Sequence, residues 1–171
     1  MSEKIDGALQ EAIRILFLGL FFFLPLIFWI PNSEVFELPK MYFVYAVTTL
    51  ITGLWMARMI VRREILIQRT PLDIPVLLFL LSQIVSTIYS IEPHVSWFGW
   101  YGRFNGGLLS TVSYTLLYYA LVSNIVNSKQ ITVNGKRGNF PIYGLPFTVY
   151  PIIVSSIIVS LYALLQQFGV D

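Results

Sequence analysis

The sequence predicts an all-α integral membrane protein, a helical bundle of about five transmembrane helices in a single membrane domain over residues 1–171. Apolar residues make up 56% of the chain and charged residues only 12%, whereas a soluble domain usually carries about 25% charged residues. The mean hydropathy is +0.72. The apolar residues fall in runs of membrane-spanning length rather than in amphipathic stripes, which is typical of a membrane protein.

Five apolar runs define the predicted spans: residues 15–30, 41–59, 74–89, 106–125 and 148–168. The polar residues 1–14 are expected to lie on the membrane surface, and Pro25 is expected to kink the first span. Pro146 and Pro151 are expected to break the first part of the last span, so that its firm helix begins near residue 148. Between the last two spans, Asn134-Gly135 predicts the turn of a small hairpin.

Basic residues predict the orientation of the spans, because short loops rich in Lys and Arg stay on the cytoplasmic side of a membrane. With a cytoplasmic N-terminus, nine of the eleven basic residues lie on the inner side. Four of them are predicted to crowd one loop after the second span: Arg58, Arg62, Arg63 and Arg69. Only Lys40 and Arg103 lie on the outer side.

The stretch from Ser90 to Leu108 separates the third span from the fourth and is predicted to be an external re-entrant or interfacial loop. Its proline and four glycines disfavour a continuous helix. Three of its aromatic residues suit the membrane–water boundary, where amphipathic rings settle at headgroup level. These residues are Trp97, Trp100 and Tyr101.

A phosphate site is predicted where this loop enters the fourth span. Asn105 is interpreted as the N-cap of that helix, whose first amides would favour an anionic group. Gly106 and Gly107 would allow a ligand to approach the backbone closely, and Arg103 supplies a planar, bidentate phosphate donor. The sequence thus predicts a lipid-diphosphate site at Arg103, Asn105, Gly106 and Gly107. The alternative is an anchoring loop in which Arg103 binds lipid phosphate and does nothing else.

Few other sites can be built from this composition. His94, the only histidine, could act as a general base at the same site, or be an ordinary solvated residue. The chain has no cysteine and a single histidine, so no metal ligand set and no cofactor site are predicted. A net charge of +2 is too small to indicate a nucleic-acid partner.

Ionisable residues are not expected inside the spans, which counts against a proton-coupled transporter or an ion pump. The third span does carry Ser82, Ser86 and Gln83 near one face. Residues of this kind usually pack against a neighbouring helix, and a polar conduit is the alternative interpretation.

Four short motifs occur along the chain in the order in which one known family carries them. They are Phe36–Lys40 at the entry to the second span, Ser86–Ser90 at the end of the third, the set Ser96, Gly99, Arg103 and Gly107 before the fourth, and Leu164–Gly169 at the end of the fifth. On these motifs the chain resembles the N-terminal part of the O-antigen ligase and O-antigen polymerase family of bacterial membrane glycosyltransferases. The resemblance covers nearly the whole chain.

The resemblance implies a longer polytopic protein of the bacterial cytoplasmic (inner) membrane. It implies transfer of a glycan from an undecaprenyl-diphosphate carrier to an acceptor at the external face, as in lipopolysaccharide and other cell-surface polysaccharide assembly. The family's catalytic Arg and His belong to a large external loop after later spans, which has no counterpart here. No catalytic residue is therefore carried over, and the chain alone is expected to be inactive.

Two other functions remain open on the sequence. The chain could be a non-catalytic membrane scaffold or interaction subunit, or a subunit of a transporter or flippase. The expected partners are the lipid bilayer, the carrier-linked glycan, and either the remaining transmembrane helices of a longer protein or another membrane subunit.

Overall fold

The computed structural model of the chain describes residues 2–27, 37–126 and 144–168. Within these ranges every regular element is helical, which confirms the all-α part of the predicted fold class. The elements are α1 (Ser2–Phe23), α2 (Glu37–Arg62), α3 (Asp73–Ile88), the short α4 (Pro93–Phe98), α5 (Leu108–Leu121) with a π-helical turn directly after it (Val122–Val126), and α6 (Gly144–Gln167).

The antiparallel helices α1 and α2 form the centre of the bundle and pack along one seam. The buried seam residues of α2 recur every three or four positions: Met41, Val44, Thr48, Ile51, Trp55 and Arg58. Those of α1 also lie on one face, at intervals of seven, four and three positions: Asp6, Ile13, Phe17 and Leu20. Because this spacing lines a single helix face, burial of the two faces against each other holds the pair together.

The next helix in the centre, α5, lies against α2. Its buried positions include Ser110, Ser113 and Ala120. Small side chains let two helix backbones approach closely, as they do at helix contacts within membranes.

The helices α3 and α6 lie at the edge of this centre. α3 contacts α4 and α5 and buries none of its residues. α6 packs on α1, and Ser155 is the one buried residue among its described side chains. Ser82 and Ser86, the polar positions predicted along the third span, are exposed in the described part of the chain.

Two of the described helices are long and apolar enough to cross a membrane, by length and composition: Glu37–Arg62 and Leu108–Ile125. They overlap the predicted second and fourth spans. Asp73–Ile88 and Val149–Leu165 are also apolar but shorter, and they coincide with the predicted third and fifth spans. These helices support a membrane location, and the count of five spans stays a prediction.

The first helix differs from the prediction at both ends. Ser2–Phe23 is one continuous helix, because Asp6 hydrogen-bonds to α2 and draws the polar lead-in into the bundle. Pro25 does not kink a longer span. The helix ends at Phe23, and a turn follows in which the Ile27 N–H donates to the Phe23 carbonyl. A proline lacks an N–H and clashes with the preceding turn, so here it ends the helix. Residues 28–30 of the predicted span lie outside the described residues.

The second helix runs farther than predicted. α2 continues through Arg58 and Arg62, so these two arginines do not belong to a loop after the second span. Arg58 is 3% exposed. The prediction of a basic loop is therefore correct for Arg63 and Arg69 and wrong for Arg58 and Arg62.

The last helix begins earlier than predicted, at Gly144 rather than near residue 148, and Pro151 lies inside it without a break. Pro146 lies in the first turn, where a missing N–H leaves no helical hydrogen bond unmade. The hairpin predicted at Asn134-Gly135 lies outside the described residues.

Candidate functional site

The candidate site is the connection between α3 and α5, residues 89–107, together with the N-terminal end of α2, which lies beside it. Its first half is α4, which begins with Pro93 at a position where proline is pre-set for a helix. The Ser90 hydroxyl accepts hydrogen bonds from the Glu92 N–H and from the Ser96 hydroxyl. The predicted re-entrant or interfacial loop is thus a one-and-a-half-turn helix followed by a tight loop.

The tight loop closes where two glycine backbones meet. Gly99 has φ +90°, and a Cβ atom there would lie 2.1 Å from the Asn105 carbonyl oxygen. A Cβ atom on Gly107 would lie 2.4 Å from the Gly99 nitrogen. The Trp100 N–H donates to the Asn105 carbonyl across the same contact, at 3.2 Å. Neither glycine leaves space for a side chain, so together they bring the two ends of the loop into contact.

Phe104 anchors the loop to α2 and so determines where Arg103 lies. Its backbone is in the left-handed region, at φ 52°, a conformation that bulky residues adopt only when their surroundings hold them there. The Tyr45 hydroxyl donates to the Phe104 carbonyl at 2.5 Å. The Phe104 ring packs against Tyr42 and Phe98, with ring centroids 5.7 Å and 6.4 Å away. Sequence reasoning missed this residue because nothing local marks it.

Arg103 lies beside the first residue of α2. Its Nε is 3.7 Å from Glu37 Oε2, and the two side chains are 48% and 46% exposed. An exposed ion pair of this kind contributes only about 0–1 kcal/mol. The guanidinium is therefore at the protein surface and can exchange a carboxylate partner for a phosphate.

The sequence predicts that Asn105 is the N-cap of α5, and this prediction is wrong. The helix begins at Leu108 with Gly107 as its N-cap, and Gly107 makes no side-chain capping hydrogen bond. Asn105 instead accepts hydrogen bonds on Oδ1 from the Gly106 N–H at 2.8 Å and from the Tyr114 hydroxyl at 3.2 Å. The short polar side chain is used to shape the loop, an alternative to helix capping that Asn often takes.

Three of the four predicted phosphate-binding residues share an exposed rim. Arg103, Asn105 and Gly106 are all exposed, and a Cβ atom on Gly106 would meet nothing within 4 Å. The Gly106 N–H already donates to Asn105, so it would have to exchange that bond to reach a ligand. Gly107 is buried against Gly99 and serves to close the loop. We call Arg103, Asn105 and Gly106 the Arg103 rim.

The predicted general base, His94, and the three aromatic residues predicted at the membrane boundary belong to the same connection. The His94 ring stacks almost parallel on Tyr101, with centroids 4.7 Å apart and an interplanar angle of 3°. Trp97, Trp100 and Tyr101 are 53%, 67% and 62% exposed. Large exposed rings at one end of an apolar bundle are the arrangement found at membrane interfaces.

A groove of about 600 Å³ runs between α3 and α5 and opens at the Arg103 rim, since Asn105 and Gly106 belong to its lining. The α3 side includes Val76, Phe79 and Gln83. The α5 side includes Thr111 and Tyr118. A volume of this size lies within the range of small-molecule sites.

A buried polar cluster lies at the opposite end of the bundle. It consists of Asp6, Gln10, Arg58, Arg62 and Asn124. Arg58 donates from Nε and Nη2 to the two carboxylate oxygens of Asp6, at 2.9 and 3.2 Å, and from Nη1 to the Asn124 side chain. Gln10 accepts from Arg58 at 3.1 Å and donates to the Asn124 carbonyl at 3.1 Å. Arg62 donates a third hydrogen bond to Asp6, at 2.6 Å.

The electrostatics of this cluster favour the ionised carboxylate. Burial alone would raise the pKa of Asp6, but the hydrogen bonds and positive charges of Arg58 and Arg62 outweigh it and hold the pKa below the ordinary 3.8. A buried charge is tolerated only when it is paired and hydrogen-bonded. The cluster meets both conditions and joins α1, α2 and the π-helical turn after α5.

The sequence carried a signal for this cluster that residue-by-residue analysis missed. Asp6 and Arg58 fall in register with the apolar seams of their helices, and Asn124 falls in register with Ser113 and Ala120 on α5. A polar residue at a seam position is buried by the same packing that buries its apolar neighbours. Two such positions of opposite charge in antiparallel helices predict a buried pair.

Among residues 2–27, 37–126 and 144–168, no group of three or more His, Cys, Asp and Glu side chains could hold a metal ion. Comparisons with protein-family models, with curated proteins and with solved structures find no match.

Proposed function

We propose that the chain binds an undecaprenyl-diphosphate-linked glycan at the external face of a bacterial inner membrane. In this proposal it is the carrier-binding, N-terminal part of a protein resembling the O-antigen ligases and polymerases. The observation that carries the proposal is the Arg103 rim. A guanidinium, a side-chain amide and an open glycine lie together beside an apolar groove.

The chemistry of the rim suits a diphosphate. A guanidinium presents a planar fork of N–H donors that matches two phosphate oxygens. Asn105 engages its Oδ1 with Gly106 and Tyr114, so its NH₂ group can donate to a further phosphate oxygen. The glycine beside it leaves room for a charged head to approach the backbone.

The membrane arrangement belongs to the same proposal. It has five spans and a cytoplasmic N-terminus, with the Arg103 rim outside and the buried polar cluster at the inner boundary. The stretch of α2 from Glu37 to Arg58 is about 32 Å long at 1.5 Å per residue, close to the roughly 30 Å of a bilayer core. Basic residues at the cluster end, such as Arg62, Arg63 and Arg69, agree with the positive-inside rule.

The test measures binding of farnesyl diphosphate, a short polyprenyl diphosphate, to the full chain in lipid nanodiscs. Hydrogen bonds to charged groups contribute about 1.5–3 kcal/mol each, so Arg103→Ala should weaken binding by about ten- to a hundredfold. Arg103→Lys, which keeps the charge and loses the fork, should give an intermediate loss. Arg63→Ala removes one exposed charge at the other end and should change nothing. Equal binding by Arg103→Ala and the unaltered chain would refute the proposal.

A second candidate is an interfacial anchor in a non-catalytic membrane scaffold, with Arg103 on ordinary lipid phosphate. The exposed rings of Trp97, Trp100 and Tyr101 favour it. The two candidates differ in selectivity. In nanodiscs, an anchor would interact with the phosphate of phosphatidylglycerol as strongly as with farnesyl diphosphate. Arg103→Ala would weaken both interactions equally.

A further inference from the structure

We propose that residues 63–69, at the end of the bundle that holds the buried polar cluster, form a surface that binds anionic phospholipid. This segment connects the end of α2 to the turn before α3. It presents two isoleucines and two arginines: Ile65, Ile67, Arg63 and Arg69. The inference uses no residue of the Arg103 rim and does not depend on the binding of a lipid-linked glycan.

The 63–69 segment folds back over the end of the bundle instead of projecting from it. Arg63 has a φ of 56°, a left-handed conformation that ends α2 and lets the chain turn. Trp55 Nε1 then donates to the Leu66 carbonyl at 2.9 Å, so Leu66 lies beside a residue two turns back along α2. The Gln68 N–H donates at 3.1 Å to the hydroxyl of Ser123, in the π-helical turn after α5. Two helices therefore hold the segment in place.

Side chains along the segment alternate between the protein and its surroundings. Leu66 packs against the core, and Gln68 is half-buried. Between and before them, Ile67 and Ile65 are 55% and 81% exposed. This is the two-residue period of an extended chain, and it leaves two large apolar side chains on one outer face. Because the hydrogen bonds hold the backbone, these isoleucines are buried only if an apolar environment outside the chain covers them.

The depth of the segment matches the headgroup layer of a bilayer. In the membrane arrangement proposed above, the apolar core ends near Arg58. The helix rises about 7.5 Å from Arg58 to Arg63, and the headgroup layer is about 5–7 Å thick on each side of the core. Since the chain folds back from there toward Trp55, Ile65 and Ile67 lie between the headgroups and the acyl chains. A cytoplasmic protein partner would need the segment to stand clear of this layer.

The charges beside the isoleucines favour an anionic lipid. Arg63 and Arg69 are exposed at the two ends of the segment, and Glu64 is the one carboxylate between them. Two neighbouring carboxylates are engaged by the protein: Asp6 in the buried polar cluster, and Asp73 by hydrogen bonds from the turn before α3 and from α5. Arginine stems can lie on apolar surface while their heads reach phosphate. Each arginine near an anionic membrane surface strengthens the attraction about fivefold.

A fluorophore on the segment tests its position, because the chain has no cysteine of its own. The label on Ile65→Cys, in the full chain in nanodiscs, should be quenched by phospholipids that carry a nitroxide near the top of the acyl chain, and it should be shielded from aqueous iodide. A label on Glu64→Cys, one exposed position earlier, should be quenched by iodide instead. Iodide quenching of Ile65→Cys as strong as that of Glu64→Cys would place the segment in water, open to a cytoplasmic protein, and would overturn the inference.

The same label tests the class of lipid. At equal mole fractions, nitroxide-labelled phosphatidylglycerol should be enriched beside Ile65→Cys about fivefold over labelled phosphatidylcholine, because two arginines outweigh one glutamate in the segment. Arg63→Gln with Arg69→Gln should abolish this preference. Lys4→Gln with Arg14→Gln removes the same charge from exposed positions of α1 and should leave most of it. An equal loss in the two double variants, or no preference before substitution, would overturn the assignment to anionic lipid.

Discussion

Gly107 shows how a residue without a side chain determines the position of a charged one. Its φ of −88° is open to any amino acid. Its Cβ position, however, is taken by backbone atoms of Gly99, Trp97 and Phe98. The contact closes the loop on which Arg103 lies, and Phe104 then ties that loop to α2. This glycine allows close backbone packing. The sequence analysis instead predicts that it lets a ligand approach the backbone.

Gly107→Ala should therefore destabilise the protein. A methyl group forced against backbone atoms costs about 1–3 kcal/mol, because the neighbouring backbone has no rotamer to change. The measurement is the thermal unfolding midpoint of the purified chain in one detergent. Gly53→Ala is the matched control, since Gly53 lies in a helix with nothing within 4 Å of its Cβ position, and it should be neutral or stabilising by up to about 1 kcal/mol. Equal midpoints for the two variants would contradict this role of Gly107.

At the scale of elements, the seam between α1 and α2 ends in a charged layer. Ile13, Phe17 and Leu20 pack against α2 along the apolar part. Asp6 and Arg58 occupy the next positions of the same seam, 6% and 3% exposed. With this pair in place, α1 begins at Ser2, almost four turns before the predicted first span. It also gives the two helices a unique register, because a shift of either helix would leave a buried charge without its partner.

Removal of one member of this pair should cost much more than removal of an exposed charge. Asp6→Ala leaves Arg58 buried without its carboxylate and should lower the free energy of unfolding by about 3–5 kcal/mol. Glu3→Ala, on an exposed position of the same helix, should change it by less than about 0.5 kcal/mol. The double variant Asp6→Leu with Arg58→Met should recover much of the loss, because an apolar pair can replace a buried ion pair. The prediction fails if Asp6→Ala and Glu3→Ala unfold at the same temperature.

The same pair predicts a pH dependence. The folded-state pKa of Asp6 lies below its ordinary 3.8, so the ionised carboxylate stabilises the fold above that value, and the stabilisation is lost as pH falls through the lowered pKa. The gap in unfolding midpoint between the unaltered chain and Asp6→Asn should be constant between about pH 7 and pH 5 and shrink below about pH 4. Glu3→Gln should show no such gap. A gap that widens with acid would contradict the direction of the pKa shift.

At the scale of the whole molecule, polar groups collect at two ends and leave an apolar middle. The Arg103 rim and Glu37 mark one end, and the buried polar cluster marks the other. Between Met41 and Ala57, α2 carries no charged residue. The separation of the two ends matches a bilayer core, which supports a membrane location and assigns each end to one surface.

Labelling of single cysteines tests the orientation. Glu92 and Glu64 are both exposed, at the rim end and at the cluster end respectively, so replacing either removes the same charge. A membrane-impermeant maleimide should label Glu92→Cys in intact cells and Glu64→Cys only after permeabilisation, as the distribution of basic residues predicts. The reverse pattern would place the Arg103 rim in the cytoplasm and refute the external site.

The bounds of a helix can be predicted from the sequence when local hydropathy determines them, and not when a contact with a distant residue does. For the third helix, Asp73–Ile88, the sequence predicts 74–89, because the ends of this helix coincide with the ends of an apolar run. For the first helix, Ser2–Phe23, the sequence predicts 15–30. Its polar half is helical as well, and within it Asp6 is buried against Arg58, which lies 52 positions away. The capping role predicted for Asn105 was wrong for a similar reason, since Tyr114 and the closed glycine loop compete for that side chain.

By itself the sequence determined the helical class and the positions of the apolar runs, and it drew attention to Arg103 among aromatic residues. These are local properties, because hydropathy and helix-breaking residues act over a few turns of chain. Only the tertiary structure decided that Arg58 is buried against Asp6, that Gly107 closes a loop, and that an apolar groove opens at Asn105 and Gly106. Each of these depends on which distant helix faces pack together, and many pairings of apolar faces satisfy the same hydropathy pattern.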